Sequence, residues 1–306
     1  MQSAALRPHA TLPGPYDAGT VLATTVDARG YALWLLCPDV ETVRNPYGPS
    51  YPKPRRYPYD ALLVSSDGTP PVERTLAGVR VRPSALDILP DGRVLLVGGG
   101  AGEPNAQLLG RDGRPLHRFP MGRGARFVRA DRRGALWSAY SDEGIHSDPL
   151  AAPGLVRWDG HGNRRWSLTP PDGLPHAVDA LALNVDDDGA AWFAYHPSPR
   201  LLHVRADGRV ASWTSPAARP QGVAAHGTEV ALLADDLLHR CRVSGEALDL
   251  VEEVRLTLPG GTPLTRYADV VGRGRRLYVR GRSVRQWYAV DPWSGASVSR
   301  HRTSPS

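Results

Sequence analysis

Lysine is almost absent from this sequence of 306 residues. Lys53 is the only lysine among 37 lysine and arginine residues, so arginine carries nearly all of the positive charge behind the formal net charge of +6. The arginines are spread along the chain among 31 acidic residues, whereas a nucleic-acid-binding protein is expected to cluster them on one face. We therefore expect no nucleic-acid partner. Abundant arginine, alanine, glycine and proline indicate instead the codon bias of a GC-rich bacterial genome.

Long apolar segments are also lacking. No run of about 18 apolar residues occurs, so no segment is expected to span a membrane. The first twenty residues contain no apolar core of the kind found in signal peptides. These absences predict a cytoplasmic protein without a membrane partner, and we expect a monomer.

Cysteine is scarce, and the few catalytic motifs that sequence can reveal are missing. Cys37 and Cys241 each lie in an apolar, strand-like run, and we expect both to be free buried thiols. We find no paired-cysteine metal motif, no glycine-rich phosphate loop and no nucleophile elbow. The sequence therefore contains no motif that identifies a reaction by itself.

Glycine and proline are plentiful, and glycine recurs in a repeated pattern. The clearest copy has strands at 85–91 and 93–98, joined at Pro90-Asp91-Gly92, and strands at 107–111 and 114–119, joined at Asp112-Gly113. Proline presets φ for a turn, and glycine accepts the positive φ that tight hairpins require. Six segments repeat this plan of strand, glycine turn, strand, loop, strand, glycine turn and strand.

The two glycine turns can be aligned in all six copies. The other first turns are at Asp27–Gly30, Asp131–Gly134, Asp186–Gly189, His226-Gly227 and Gly272–Gly274. The other second turns are at Asp67-Gly68, His161-Gly162, Asp207-Gly208, Ser244-Gly245 and Ser294-Gly295. Second-turn glycines are 37 to 50 residues apart. Because missing an internal repeat leads to a wrong fold assignment, this repeat has the greatest weight in the prediction.

The strands become more polar from the first to the fourth in each repeat. Strands buried on both faces become continuous apolar runs, whereas an outer strand tolerates charge. The pattern predicts an all-β, six-bladed β-propeller with four antiparallel strands per blade. We expect an N-terminal extension at 1–18, followed by a propeller at 19–306. The predicted blades cover about 19–79, 80–122, 123–175, 176–220, 221–260 and 261–302, with a fourth strand of the last blade at Ser297–Arg300.

The extension is not part of the repeat. We expect residues 1–18 to lie over the seam of the ring or on its outside. Completing the outer edge of the sixth blade is one way in which they could help to close the ring.

Three segments resemble a known group of propellers. Ile88–Leu95, Ala130–Trp137 and Val185–Gly189 with Trp192 combine an apolar strand, an Asp/Gly turn and a Leu-Trp or Val-Leu pair. This pattern is similar to the NHL and regucalcin/gluconolactonase-like six-bladed propellers. Members of the latter family hold a divalent metal in the central channel. Their early Glu-Gly-Pro-x-Trp signature is replaced here by Gly19–Thr24, so no metal-binding glutamate is transferred to this chain.

Candidate ligand-binding residues lie on the face opposite the short glycine turns, because variable loops usually carry binding residues. The longest loop, 38–60, contains the aromatic and basic residues Tyr47, Tyr51, Lys53, Arg55, Arg56, Tyr57 and Tyr59. Tyrosine and arginine suit anionic ligands, peptides or glycans, although the proline-rich loop could equally be a lid. The predicted ligand-binding set is Tyr51, Arg55, Arg56, Tyr57, Tyr59, Arg129, Tyr140 and His196.

Two further sets suggest chemistry. Counted back from the first turns, Asp87, Asn184 and Asp269 come from alternate inner strands and could bind a divalent cation such as Ca²⁺. They could instead bond backbone amides, with Arg129 neutralising one acid. As acid–base candidates we consider His146 with Asp148 and His176 with Asp179; the predicted catalytic set is His146, His176 and Asp179.

We expect a propeller that binds a small molecule or a protein partner through its loop-rich face. The alternative is a metal-assisted hydrolase, lyase or isomerase with its site at the mouth of the central channel. A third possibility, a metal-free enzyme acting on an apolar substrate, depends only on the tryptophan and tyrosine content.

Overall fold

The fold is a six-bladed β-propeller, which confirms the prediction. The computed structural model describes residues 2–17, 19–45, 50–99, 104–264 and 268–293. In this part of the chain, six sheets of four antiparallel strands follow one another around a ring, and one of them gains a fifth, parallel strand. Each sheet is made mainly from consecutive strands, as expected for blades that form by local hairpins.

The strands of each blade run outward from the central channel. Blades one to three contain Thr20–Val26, Ala32–Cys37, Tyr59–Ser66 and Val72–Val79; Pro83–Ile88, Val94–Gly98, Ala106–Leu109 and Pro115–Phe119; and Ala125–Ala130, Leu136–Tyr140, Leu155–Trp158 and Arg164–Ser167. Blades four and five contain Asp179–Val185, Ala191–His196, Arg200–Val204 and Val210–Thr214; and Gly222–His226, Glu229–Ala234, Leu237–Ser244 and Ala247–Thr257. The second strands are almost entirely buried, because they have a neighbouring strand on each side and a neighbouring blade on each face.

Blade six is completed by the start of the chain. Its inner three strands are Asp269–Arg273, Arg276–Arg280 and Gln286–Val290, and Arg7–Thr11 pairs antiparallel with the last of these as the outer strand. Gln2–Ala5 adds a parallel fifth strand to blade five. The chain therefore closes the ring by joining its first residues to its last described blade. The turn predicted at Ser294-Gly295 and the strand predicted at Ser297–Arg300 lie outside the described residues.

In several first turns, the side chain of an aspartate accepts hydrogen bonds from backbone N–H groups of the turn. In blade one, Asp27 Oδ1 accepts hydrogen bonds from the backbone N–H groups of Arg29 and Tyr31, both at 2.9 Å. Gly30 closes the turn at φ +92°, a conformation that glycine adopts without strain. Asp131 and Asp186 make the equivalent pairs of bonds in blades three and four. The Asp-x-x-Gly spacing in the sequence thus has a direct structural cause.

Blade six departs from the expected turn. The sequence predicts a turn at Gly272–Gly274, but the inner strand continues to Arg273, which pairs with Arg276. Only Gly274 and Arg275 remain as the connection, which makes a two-residue hairpin. The turn therefore lies later than predicted, and residues counted back from it are displaced along the strand.

The apolar core is divided among the interfaces between blades. Six clusters of buried side chains each join adjacent blades, and the cluster between blades six and one contains Leu12, Trp34 and Trp287. All three side chains are buried. Burial of this apolar area is the main favourable contribution to stability, so the ring is held together by blade-to-blade packing.

Two additions lie on the loop-rich face. Val40–Val43 and Tyr51–Pro54 form a small hairpin in the long loop of blade one, and Asp142–Ser147 is a short α-helix in blade three. Asp142 and Glu143 occupy the first turn of this helix, where negative charge is favourable. A short 3₁₀ helix, Gly14–Tyr16, follows the N-terminal strands. Among the described residues, no helix is long and apolar enough to cross a membrane.

Candidate functional site

The central channel is closed at its turn-side end by a buried ion pair. Arg273 of blade six donates from Nη2 to Oδ2 of Asp87 in blade two at 2.9 Å, and it donates from Nε to the Val26 carbonyl of blade one at 2.6 Å. The backbone N–H of Ala130 in blade three also donates to Asp87 Oδ2, at 2.6 Å. Four blades are therefore connected through two charged side chains.

The remaining two blades are joined at the same end of the channel. Asn184 of blade four donates from Nδ2 to the carbonyl of Gly274 in blade six at 2.7 Å. The same carbonyl accepts the backbone N–H of Ala225 in blade five at 2.9 Å. These hydrogen bonds and the Asp87–Arg273 ion pair close the turn-side end of the channel. The channel is therefore open only towards the loop-rich face in the described part of the chain.

A cavity of about 510 Å³ occupies the loop-side part of the channel. Small and apolar residues of the inner strands make up most of its wall, with Phe127 and Trp287 as its aromatic members. Its charged lining residues are Arg126, Arg129, Arg280 and Asp269. Three cations against one anion, among the described lining residues, make this cavity attractive to an anionic ligand.

Arg129 differs from the other two arginines because no described carboxylate forms an ion pair with it. Its side chain is buried, Nη1 donates to the carbonyl of Val128 at 2.9 Å, and Nε has no described partner. Burial and the nearby charge of Arg273 lower the pKa of Arg129 to about 9, while the charge of Asp87 acts in the opposite direction, so the guanidinium remains charged at neutral pH. A buried donor without an acceptor is unfavourable, which makes Arg129 a strong point of attraction for an anion.

The other two arginines are neutralised at the rim. Arg126 Nη1 contacts both carboxylate oxygens of Asp179, at 3.1 and 2.9 Å, and Arg280 forms an ion pair with Asp269. Arg126 and Arg129 also lie near the ring of Phe127, at 5.5 and 5.7 Å from its centroid. The cavity thus combines a cationic floor, an aromatic wall and a rim of ion pairs.

The three residues predicted to hold a metal are not brought together. Asp87 of blade two contacts Arg273 of blade six. Asp269 lies four residues before Arg273 on the inner strand of blade six, which is about 13 Å from Arg273 at the ordinary rise of a strand. Asp87 and Asn184 both lie near the turn-side end. The described residues include no group of three or more His, Cys, Asp or Glu side chains placed to bind a metal ion. A metal site and metal-assisted chemistry stay predictions.

The acid–base candidates occupy separate positions. His146 is exposed at the end of the short helix, and Asp148 accepts the backbone N–H groups of Arg123 and Leu150. His176 is also exposed. Asp179 lies directly across the sheet from His196, and its carboxylate is bound by Arg126. The register therefore pairs Asp179 with His196 on neighbouring strands, which sequence spacing did not suggest, but neither residue is among the lining residues of the cavity.

The aromatic loop residues predicted to bind ligand are divided between surface and core. Tyr51 and Tyr57 line a side pocket of about 380 Å³ beside the small hairpin. Tyr59 is buried and donates from its hydroxyl to the Val81 carbonyl at 3.0 Å. The exposed side chains of Arg55 and Arg56 pair with Asp39 outside this pocket. Tyr47 lies outside the described residues.

Tyr140 has a packing role in this structure. It is fully buried, and its hydroxyl donates to the carbonyl of Met121 at 2.5 Å and bonds Ser138 Oγ at 2.6 Å. Burial raises the pKa of its hydroxyl, which therefore stays protonated. The side chain is inaccessible to a ligand in the cavity.

Several residues of the site were not identified from the sequence. Arg126, Phe127, Arg280 and Trp287 line the cavity, and Arg273 closes it. Their positions at strand starts and ends are visible in the sequence, but their orientation depends on strand register. An irregularity between Ala125 and Phe127 changes that register and could not be read from apolar alternation.

Solved structures confirm the resemblance at the level of fold. The chain is similar to virginiamycin B lyase from Staphylococcus aureus, with 14% identity, a TM-score of 0.51 and coverage of 92% of this chain and 98% of that one. A calcium-binding regucalcin from Agrobacterium tumefaciens has 12% identity, a TM-score of 0.51 and coverage of 95% of both chains. A functionally unknown protein from Desulfotomaculum acetoxidans has 12% identity, a TM-score of 0.54 and coverage of 90% and 82%.

No protein-family model matches the sequence, and no curated protein is significantly similar to it. At these low identities the structural similarity shows the propeller fold alone. A shared propeller fold does not imply a shared function.

Proposed function

We propose that the protein binds a small molecule with a carboxylate group and an apolar body in the loop-side cavity. The observation that carries this proposal is the buried guanidinium of Arg129, which lies on the cavity floor and forms no ion pair with a described carboxylate. A carboxylate can accept two hydrogen bonds from a guanidinium, which satisfies unpaired donors as well as charge.

The size and wall of the cavity support a small molecule over a protein partner. Its volume of about 510 Å³ falls within the range of ordinary ligand sites. Apolar side chains of the inner strands, with Phe127, offer contact to the ligand body. A protein partner would instead need a broad, exposed apolar centre.

The first experiment compares arylalkanoic acids with their uncharged amides by isothermal titration calorimetry. We expect saturable binding of at least one acid and binding of its amide weaker by about tenfold or more, because the amide leaves the charge of Arg129 uncompensated. Equal binding of acid and amide would contradict the proposed role of Arg129.

Blade three supplies a matched pair of variants. Arg129, Trp137 and Arg157 lie side by side on adjacent strands, so Arg157 has the same residue type and the same height in the blade. Arg157 does not line the cavity, and its Nη1 donates to the Ala206 carbonyl. We expect Arg129→Met to weaken acid binding by about tenfold or more and Arg157→Met to leave it unchanged. The reverse ranking would place the ligand elsewhere.

A further inference from the structure

We propose that the side pocket beside the small hairpin is a second, separate site that binds a phosphate monoester carried on a flat ring. This pocket of about 380 Å³ lies between the hairpin of blade one and blade two on the loop-rich face. Its wall includes Tyr51 and Tyr57 from the hairpin loop and the segment from Arg80 to Arg82 that connects the two blades.

The described lining residues carry only positive charge. They include Lys53, Arg80, Arg82 and Arg118 and no acidic residue. Lys53 has one carboxylate neighbour, Glu41, at 3.6 Å, and both side chains are well exposed, so that ion pair is weak. No described carboxylate pairs with Arg80, Arg82 or Arg118. Four cations around one concave surface need a multiply charged anion.

Two of these cations are held in place without being neutralised. The guanidinium of Arg82 lies 4.2 Å from the ring centroid of Tyr51, within the range of a cation–π contact. Arg118 Nη2 donates to the Pro104 carbonyl at 2.6 Å, and its buried Nε has no described partner. Both contacts orient a guanidinium while leaving donors for a ligand.

The base of the pocket is rigid. Asn105 is buried and donates from Nδ2 to the carbonyls of Gly98 and Gly122, at 3.0 and 2.7 Å, while its Oδ1 accepts the backbone N–H of Met121. The backbone N–H of Arg80 donates to Gln107 Oε1 at 2.7 Å. These bonds hold the backbone at Arg80 and at the loop that forms the base of the pocket, which reduces the ordering that a ligand would have to impose.

These features select the ligand class. A phosphate monoester carries close to two negative charges at neutral pH and presents several acceptor oxygens, which matches converging guanidinium groups. The ring of Tyr57 is 40% exposed on the pocket wall and can stack against a flat ring. Arg82 lines this pocket and Ser84 lines the channel cavity, so a short length of backbone separates the two sites.

The test uses the purified full chain and phenyl phosphate as the probe, measured by isothermal titration calorimetry in physiological salt. We expect saturable binding that is tighter than that of inorganic phosphate, which lacks the ring, and of phenyl sulfate, which has one charge. Absence of saturable phenyl phosphate binding overturns the proposal. Equal affinity for phenyl sulfate overturns the assignment to a phosphate monoester.

Matched variants locate the binding. Arg80→Gln with Arg82→Gln removes two lining cations, and we expect phenyl phosphate affinity to fall about tenfold or more. Arg55→Gln with Arg56→Gln makes the same change of charge on the neighbouring hairpin loop of blade one, outside the described lining, and we expect affinity to stay within about twofold. An equal loss in both double variants would show a general charge effect and overturn the site.

Thermal stability and two further single variants distinguish loss of the site from loss of the fold. The thermal midpoint of each variant checks folding, and Lys53→Gln provides an independent lining variant, for which a smaller loss is expected. Arg129→Met should leave phenyl phosphate binding unchanged, because that residue belongs to the channel cavity. Loss of phenyl phosphate binding in Arg129→Met would show that the probe occupies the channel and not the side pocket.

Discussion

Arg273 and Asp87 form an ion pair across the central channel, with side-chain exposures of 4% and 0% and a separation of 2.9 Å. The two residues are 186 positions apart in the chain. Their contact joins the last described blade to the second and closes the channel below the proposed ligand cavity.

Removing one partner of this pair should strongly destabilise the fold. Asp87→Ala leaves the Arg273 charge buried, and we expect the free energy of unfolding to fall by about 3–5 kcal/mol. Urea denaturation followed by tryptophan fluorescence measures the change. Asp112→Ala is the control, because Asp112 is exposed and lies 3.8 Å from Arg114; its loss should stay within about 1 kcal/mol. If Asp87→Ala also lowered the free energy of unfolding by no more than about 1 kcal/mol, the ion pair across the channel would not be important for stability.

Asp27 and Asp159 should give opposite pH dependence. Burial raises the pKa of Asp27 above its ordinary value of 3.8, and the charge of Asp87 adds to this effect. The folded state then binds a proton that the unfolded state has released, so this contribution to stability falls as pH rises above 3.8 through the folded-state pKa. Asp27→Asn should therefore gain stability relative to the wild type as pH rises through this range.

Slight burial alone would raise the pKa of Asp159, but hydrogen bonds from Asn163, His161 and Arg165 lower it below 3.8. Its contribution is therefore present above 3.8 and is lost as pH falls. Asp159→Asn should lose stability relative to the wild type at neutral pH and approach it in acid. Unfolding free energies measured between pH 3 and 7 test both variants, and slopes of the same sign would contradict the assignment.

Leu12 should be important for closing the ring. It is 1% exposed in the cluster that joins the N-terminal segment to Trp34 and Trp287. Leu12→Ala leaves a cavity in that cluster, and we expect a loss of about 2–5 kcal/mol in unfolding free energy. Leu116→Ala makes the same chemical change at a side chain that is 54% exposed and should stay within about 0.5 kcal/mol. If Leu12→Ala left the free energy of unfolding unchanged, the closure between blades six and one would not depend on this packing.

Gly113 is expected to tolerate a methyl group less well than Gly134. Both have positive φ, +80° and +87°, but a Cβ on Gly113 would lie 2.0 Å from the Thr75 carbonyl oxygen, whereas a Cβ on Gly134 would meet no atom within 4 Å. Gly134→Ala should lose about 1–2 kcal/mol through backbone strain alone. Gly113→Ala should lose more, because blades one and two must also separate. Thermal and urea unfolding of the two variants measure the difference.

The first turns of the blades are the part of the fold that the sequence predicts best. Asp27, Asp131 and Asp186 precede glycine at a fixed spacing, and the same spacing produces the same two side-chain-to-backbone bonds in each blade. Such local bonds depend only on neighbouring residues. This is why blade number, strand order and the placement of both turns in most blades could be predicted.

The register of the inner strand of blade six could not be predicted from the sequence. The expected turn at Gly272–Gly274 placed Asp269 at the depth of Asp87, but the two-residue connection after Arg273 moves Asp269 to the channel mouth. Glycines at 272 and 274 permit either turn, and packing against blades one, two and four selects the observed one. The sequence predicted Arg129 as a ligand-binding residue. It could not show that no described carboxylate forms an ion pair with Arg129.

The sequence by itself determined the repeated four-strand unit, the number of units and the division into a short-turn face and a loop-rich face. These properties follow from glycine, aspartate and apolar residues acting over a few positions. Only the tertiary structure decided that Arg273 crosses the channel to Asp87, that Arg129 lies beside a cavity with no described carboxylate in an ion pair with it, and that Arg7–Thr11 completes the last described blade. Each of these contacts joins residues distant in the chain, and their geometry is set by how whole blades pack around the ring.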